Sequence, residues 1–151
     1  MTEKMKIIDF LRENQLDAIF VQKDENCRYL SKFTGSDSYL LLTKEELYLL
    51  TDSRYTEQAR KESADYTVVD YKGHLAEIVA KLAGEYHIKT MGVETVFSYQ
   101  MYLSFHEYMP NIEFRFSQID RLRQIKSEEE IFCIKEAWRI SGAGFKATLP
   151  F

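Results

Sequence analysis

Five adjacent residues, Thr34, Gly35, Ser36, Asp37 and Ser38, interrupt two apolar runs with hydroxyls, one carboxylate and a glycine. A knot of this kind can cradle a ligand through its hydroxyls and carboxylate, or it can simply turn the chain. A second polar group, Asp52, Arg54 and Tyr55, follows one hairpin later. There Asp52 and Ser53 suit the cap of a helix starting near Arg54, and Arg54 can pair with a nearby carboxylate. The structural reading is favoured for Asp52, Arg54 and Tyr55.

Other chemistry is sparse. His74, His87 and His106 are far apart and show no paired ligand spacing, so they read as surface or cap residues and the chain is expected to hold no metal. Cys27 and Cys133 also lack metal-type spacing and read as two buried, reduced thiols. A cysteine nucleophile would need a base beside it, and the sequence offers none. No serine sits in a G-x-S-x-G elbow, and no G-x-x-x-x-G-K-[ST] loop is present to hold phosphates. Gly142 to Ala147 matches G-x-G-x-x-A, but at the end of a helix instead of between strand and helix. From its chemistry alone the chain is an α/β domain without a self-contained active site.

Composition agrees. At 45% hydrophobic and 14% aromatic, 151 residues can bury their own core, and the net charge of −4 gives no global basic footprint for nucleic acid. The start, MTEKMKIIDF, carries charges in its first four residues and does not read as a signal peptide. No apolar run reaches membrane-spanning length, so no membrane partner is expected. A cytoplasmic location follows as an expectation.

The elements alternate. Met5, Ile8 and Leu11 recur at helical spacing, which predicts a helix over 3–14. Leu16 to Val21 reads as a buried strand and Asp24 to Ser31 as a short helix. Ser38–Thr43 and Leu47–Thr51 read as a tight antiparallel hairpin joined by Lys44, Glu45 and Glu46. A helix from near Arg54 to Glu62, a strand over 66–70 and a helix from His74 stopped by Gly84 follow. A strand over 89–94, a helix capped by Ser98 and closed by Pro110, and a strand through Ile112, Phe114 and Phe116 complete residues 1–117. The fold class is α/β: three layers, a mixed β-sheet with helices on both faces.

Residues 118–126, with Arg121, Arg123 and Lys126 nearly cancelled by the glutamates that follow, read as a solvated linker. Ser127 and Glu130 form a capping box, and residues 127–151 read as a long helix with Ile131, Ile134, Trp138, Ser141 and Phe145 on one face. That face either packs back on the domain or awaits something missing. The apolar ending, Ala147 to Phe151, reads as the interior of a longer polypeptide.

Three motifs in order carry a resemblance. They are Tyr29 to Ser36, then Leu40 to Thr43, and Leu50 to Ala59 with its Thr51-Asp52-Ser53-Arg54-Tyr55 core. Together they resemble the amino-terminal domain of the proline-specific pita-bread metallopeptidases: the Xaa-Pro aminopeptidases and Xaa-Pro dipeptidases (prolidases), with creatinase as a relative. The family pattern reads roughly Tyr-Leu-Thr-Gly-Phe-Thr-Gly-Ser, so Ser31 and Lys32 depart from it. Arg123 to Ile131 is similar to the family's linker, and the helix after it to the first helix of the catalytic domain.

The resemblance implies a ribonuclease H-like fold of the creatinase N-terminal type. It implies that catalysis uses two divalent metals (Mn, Co or Zn) held by two Asp, one His and two Glu in a carboxy-terminal domain, so this chain alone is expected to be inactive. It further implies a homodimer in which the loop Phe33, Thr34, Gly35, Ser36 and Asp37 reaches toward the partner's active site and restricts it to short proline-containing peptides. In that arrangement Gly35 gives flexibility, Phe33 can line the cleft and Asp37 can meet a substrate amine; for each residue a plain turn remains the simpler reading. The same architecture also serves, in a catalytically inactive relative, as a peptide- or protein-binding module. A free-standing nucleotide-binding domain is disfavoured by the missing phosphate loop.

Overall fold

A computed structural model describes residues 3–149; Pro150 and Phe151, at the apolar ending, lie outside the described residues. The elements run α1 (Glu3–Glu13), β1 (Ala18–Val21), α2 (Asp24–Ser31), β2 (Ser38–Thr43), β3 (Leu47–Thr51), α3 (Thr56–Glu62), β4 (Thr67–Asp70), α4 (Leu75–Glu85), β5 (Thr90–Val93), α5 (Tyr99–Tyr108), β6 (Glu113–Phe116), a 3₁₀ turn (Ile119–Arg123) and α6 (Glu128–Thr148). The six strands form one sheet in the order β4-β3-β2-β1-β5-β6. The β1–β2 and β2–β3 pairs are antiparallel; β3–β4, β1–β5 and β5–β6 are parallel.

Burial explains the layering. All five residues of β3 and all four of β1 are buried, which requires cover on both faces of the sheet. On one face Phe20, Leu41, Leu50 and Met91 pack with Val79 and Leu82 of α4 and Phe105 of α5. Side chains alternate along a strand, so Ile19, Leu40, Leu42 and Leu49 point to the other face. There α1 and α2 lie against β2, and α3 against β3 and β4. Ile7, Phe10 and Leu11 of α1, Cys27 and Leu30 of α2 and Ala59 of α3 are the buried hydrophobic residues those helices contribute. The mixed sheet with helices is as expected from the sequence. At the edge strand β6, Phe114 packs inward, but Phe116 is 59% exposed instead of covered.

Helix boundaries differ from expectation in an instructive way. Gly84 does not stop α4, which continues to Glu85. The stop is His87, in the left-handed region at φ 53, with its amide donating to Gly84 O and the Ile88 amide donating to Ala83 O. Gln15 (φ 54) ends α1 with the same pair of bonds, to Arg12 O and Leu11 O. Lys32 (φ 63) ends α2, donating to Arg28 O. Three helices thus end on a left-handed residue that is not glycine.

Lys32 stands where the related motif carries glycine, and its backbone adopts the conformation that glycine accepts most cheaply. Its ammonium donates to Tyr29 O at 2.8 Å and lies over the Tyr29 ring, both on the exposed surface. Lys32→Gly is therefore expected to raise stability by about 0.5–1 kcal/mol, seen as a thermal midpoint roughly 3 °C higher. An unchanged or lowered midpoint would show that the surface contacts to Tyr29 outweigh the backbone strain.

Two compact units are present, Met1–Asp120 and Arg121–Phe151. In the second, Ser127 Oγ accepts from the Glu130 amide at 3.2 Å and Glu130 Oε2 accepts from the Ser127 amide at 2.8 Å, so the capping box is formed. Ile131, Ile134, Trp138 and Phe145 of α6 are exposed. Cys27 is buried and free, whereas Cys133 on α6 is free but exposed, contrary to expectation.

Candidate functional site

Register brings the two polar groups together. The β2–β3 pairing sets Ser38 opposite Thr51, so the segment entering β2 and the segment leaving β3 emerge at the same end of the sheet. Residues 33–37 and 52–55, separate in sequence, become neighbours for that reason alone.

Phe33 roots the loop. Its amide donates to Ser31 Oγ at 3.2 Å, its ring is 1% exposed, and Tyr55 meets it edge-on at 6.3 Å. Gly35 crosses directly above that ring: a Cβ there would lie 2.3 Å from Phe33 Cζ. Gly35 is not in the left-handed region, so close packing rather than backbone freedom is what calls for glycine here. The ring faces inward within this chain.

Beyond the root the loop is tied at three points. The Thr34 amide donates to Glu62 Oε2 at 2.7 Å, its hydroxyl donates to the same carboxylate, and Gln58 Nε2 donates to both Thr34 Oγ1 and Glu62. Ser36 Oγ and Tyr55 OH share a hydrogen bond at 3.3 Å. Asp37, held at φ 51, accepts from Arg54 Nη2 at 3.1 Å, and its carbonyl accepts from Thr51 Oγ1 at 3.4 Å. Thr34, Ser36 and Asp37 nonetheless remain exposed.

Arg54 is itself held. Asp52 accepts from the Arg54 amide at 2.8 Å and grips its guanidinium through Nε and Nη2, while the guanidinium lies 5.3 Å over the Tyr55 ring. Asp52 therefore closes a local turn onto Arg54, and α3 starts two residues later than expected, at Thr56, with no side-chain cap. The guanidinium holds the Asp52 carboxyl below its ordinary value of 3.8, and Asp52 in turn raises Arg54. The Thr34 amide, with Gln58, holds Glu62 below its ordinary 4.5.

A pH dependence follows with a definite sign. Carboxyls lowered by folding contribute stability above their unfolded values, and that contribution disappears as pH falls through the lowered folded values. The tie from Glu62 to Thr34 is therefore complete at pH 7 and lost only in the acid range below its ordinary 4.5. Glu62→Gln should lower the thermal midpoint at pH 7, by an amount that shrinks as the pH is taken down below 4.5; an effect that does not change with pH would mean the charge on Glu62 is irrelevant to the loop.

Among the described residues no three His, Cys, Asp or Glu side chains converge to hold a metal ion, so these residues do not supply the two-metal set. His74 sits at the start of α4, His87 follows its end, and His106 of α5 stacks on Tyr102. No described helix is long and apolar enough to cross a membrane. Sequence reasoning missed Glu94, 3% exposed at the end of β5, whose carboxylate accepts from the Gln22 and Lys23 amides. The available signal was a charge closing the apolar run Met91, Gly92, Val93 at the end of a buried strand.

With the geometry in place, comparison with known proteins is informative. A family model described as the Creatinase/Prolidase N-terminal domain matches residues 5–125. The uncharacterized peptidase YqhT of Bacillus subtilis is 31% identical over 143 residues, covering 90% of this chain and 39% of that protein. A solved Xaa-Pro dipeptidase from Bacillus anthracis superposes with a TM-score of 0.89 at 33% identity, covering 98% of this chain and 43% of that one. The N-terminal domain of the cytoplasmic peptidase PepQ from Mycobacterium tuberculosis superposes with a TM-score of 0.69 at 26% identity, covering 77% of this chain and 92% of that one. The chain spans about two-fifths of the length of the curated relatives it matches.

Proposed function

The chain belongs to the creatinase/prolidase N-terminal domain family, and from that premise we propose that it is the non-catalytic domain of a metal-dependent Xaa-Pro aminopeptidase or dipeptidase. It pairs two copies of the parent protein and uses residues 33–37 to narrow the partner's active site to short proline-containing peptides. Residues 1–117 form this domain, 118–126 the linker, and 127–151 the first helix of the catalytic part.

One observation carries the reading. The loop is buried at its root and open at Thr34, Ser36 and Asp37, yet it is tied at three separate points to α3 and the turn before it. An ordered projection loses little entropy when it meets a cleft, which a slack turn would not achieve. Phe33 and Gly35 shape the loop, and Asp37 presents a carboxylate suited to a substrate ammonium. Asp52, Arg54 and Tyr55 hold that carboxylate in place. The chemistry is supplied elsewhere: a metal-activated water would attack the bond before proline.

The full-length protein, stripped of metal and then given Mn²⁺, Co²⁺ or Zn²⁺, is expected to cleave a short Xaa-Pro peptide, while residues 1–151 alone are not. A full-length protein that binds such peptides without cleaving them under any of these metals would instead mark a catalytically inactive binding module.

A further inference from the structure

A second polar cluster lies at the carboxyl ends of the parallel strands β1 and β5. Glu94 Oε2 accepts from the Gln22 amide at 2.6 Å and the Lys23 amide at 2.8 Å, and Oε1 accepts from Asn26 Nδ2. Asn26 is 1% exposed. The same Nδ2 also donates to Asp120 Oδ1 at 3.1 Å, and Lys23 Nζ reaches both oxygens of Asp120, at 3.2 and 3.0 Å. One amide group is thus a fork between a carboxylate closing β5 and a carboxylate on Asp120, the last residue of the first compact unit.

Two features argue that this fork is more than packing. To serve both carboxylates Asn26 leaves its own Oδ1 buried without a hydrogen-bond partner, a cost of about 1–3 kcal/mol that an apolar residue would avoid. And α2 has no side-chain cap of its own at Lys23; the acceptor there comes from Glu94, some 70 positions away. A helix of two turns has little stability alone and is held by what grips its ends. At its other end the Ser31 hydroxyl donates to Cys27 O at 2.7 Å and accepts from the Phe33 amide, and Ser63 Oγ donates to Ser31 O at 2.8 Å. The far end of α2 is the root of the 33–37 loop.

We propose that the Lys23–Asn26–Glu94–Asp120 cluster is a coupling latch, in which the point where the chain leaves the first unit is connected through α2 to the loop. Its consequence for substrate access rests on the function proposed above, but the coupling itself does not. Asp120→Ala removes both the Asn26 and the Lys23 contacts to that carboxylate, Lys23→Met removes the Lys23 contact alone, and both leave Glu94 on its two amides.

Hydrogen exchange on the full-length protein tests it. Each variant is expected to speed exchange about threefold to tenfold in residues 23–27, 33–38 and 119–123, with β2 and β3 beyond residue 39 unchanged. Adding Lys23→Met to Asp120→Ala should change little beyond Asp120→Ala alone, since Lys23 Nζ has by then already lost both Asp120 oxygens. Faster exchange at 119–123 with 33–38 unchanged would overturn the coupling, and so would an increase spread evenly over the central strands. No substrate enters the measurement, so an inactive parent protein would leave it unaffected, and its failure would leave the peptidase reading intact.

Discussion

Gly35→Ala is expected to destabilise the protein by about 2–4 kcal/mol and to lower the thermal midpoint by roughly 10 °C. An alanine Cβ at this position would lie 2.3 Å from Phe33 Cζ, 2.8 Å from Cε1 and 3.0 Å from Cε2. Carbon atoms in contact sit near 3.5–4.0 Å, so the ring cannot stay. Nor can it move cheaply, because it is 1% exposed and Tyr55 flanks it. Turning it out would return a whole phenylalanine to water, which costs about 1.5–3 kcal/mol before any gap is counted. Phe33→Ala alone should cost about 3–5 kcal/mol. With Phe33 already truncated, Gly35→Ala has nothing left to strike and should cost almost nothing more. Chemical denaturation of the two single variants and the double closes the cycle. Additive losses would show that the glycine is required for a reason other than the ring beneath it.

Glu94→Ala carries the second large effect, a loss of about 3–5 kcal/mol. The substitution leaves the Gln22 and Lys23 amides and one hydrogen of Asn26 facing a cavity in place of a carboxylate. Glu94→Gln keeps the shape and should lose less, because its carbonyl can still accept from the two amides. Its NH₂ then confronts the Asn26 NH₂, so the variant is still expected to fall measurably below the parent. Equilibrium unfolding in urea orders the three proteins; Gln as damaging as Ala would show that the charge, not the acceptor geometry, holds the start of α2.

How far the fold was readable depended on whether each signal was local. Ser127 and Glu130 are three positions apart and form their box as the sequence implies. The unbroken apolar runs of β2 and β3 announce a buried hairpin, and Thr43 Oγ1 accepting from the Glu45 and Glu46 amides shows why so short a turn closes. The end of α2 at Ser31 is as the sequence implies, but that α1, α2 and α4 finish on left-handed residues was not readable, because Gln15, Lys32 and His87 carry no mark of such a backbone. Gly84, which does look like a stop, lies inside a helix.

The loop divides the same way. That residues 33–37 and 52–55 carry the polar groups was legible from residue type. That Arg54 bridges Asp37 and Asp52 follows only from the Ser38–Thr51 register, which puts both segments at one end of the sheet. Glu94 was hidden for a stronger reason: its main partners are backbone amides on another element, and an amide is present at every non-proline position.

The proposed action of the loop across subunits is open to a direct measurement with mixed dimers of the full-length protein. One subunit keeps its catalytic part but has residues 34–37 replaced by glycine and serine; the other keeps the loop but lacks a metal ligand. Each homodimer should fail, the first by losing preference for short Xaa-Pro peptides and the second by losing cleavage. If the loop works on the partner, the mixed dimer cleaves short Xaa-Pro peptides with the parent's preference. A mixed dimer that cleaves with the relaxed preference of the loop-replaced homodimer would contradict an action in trans.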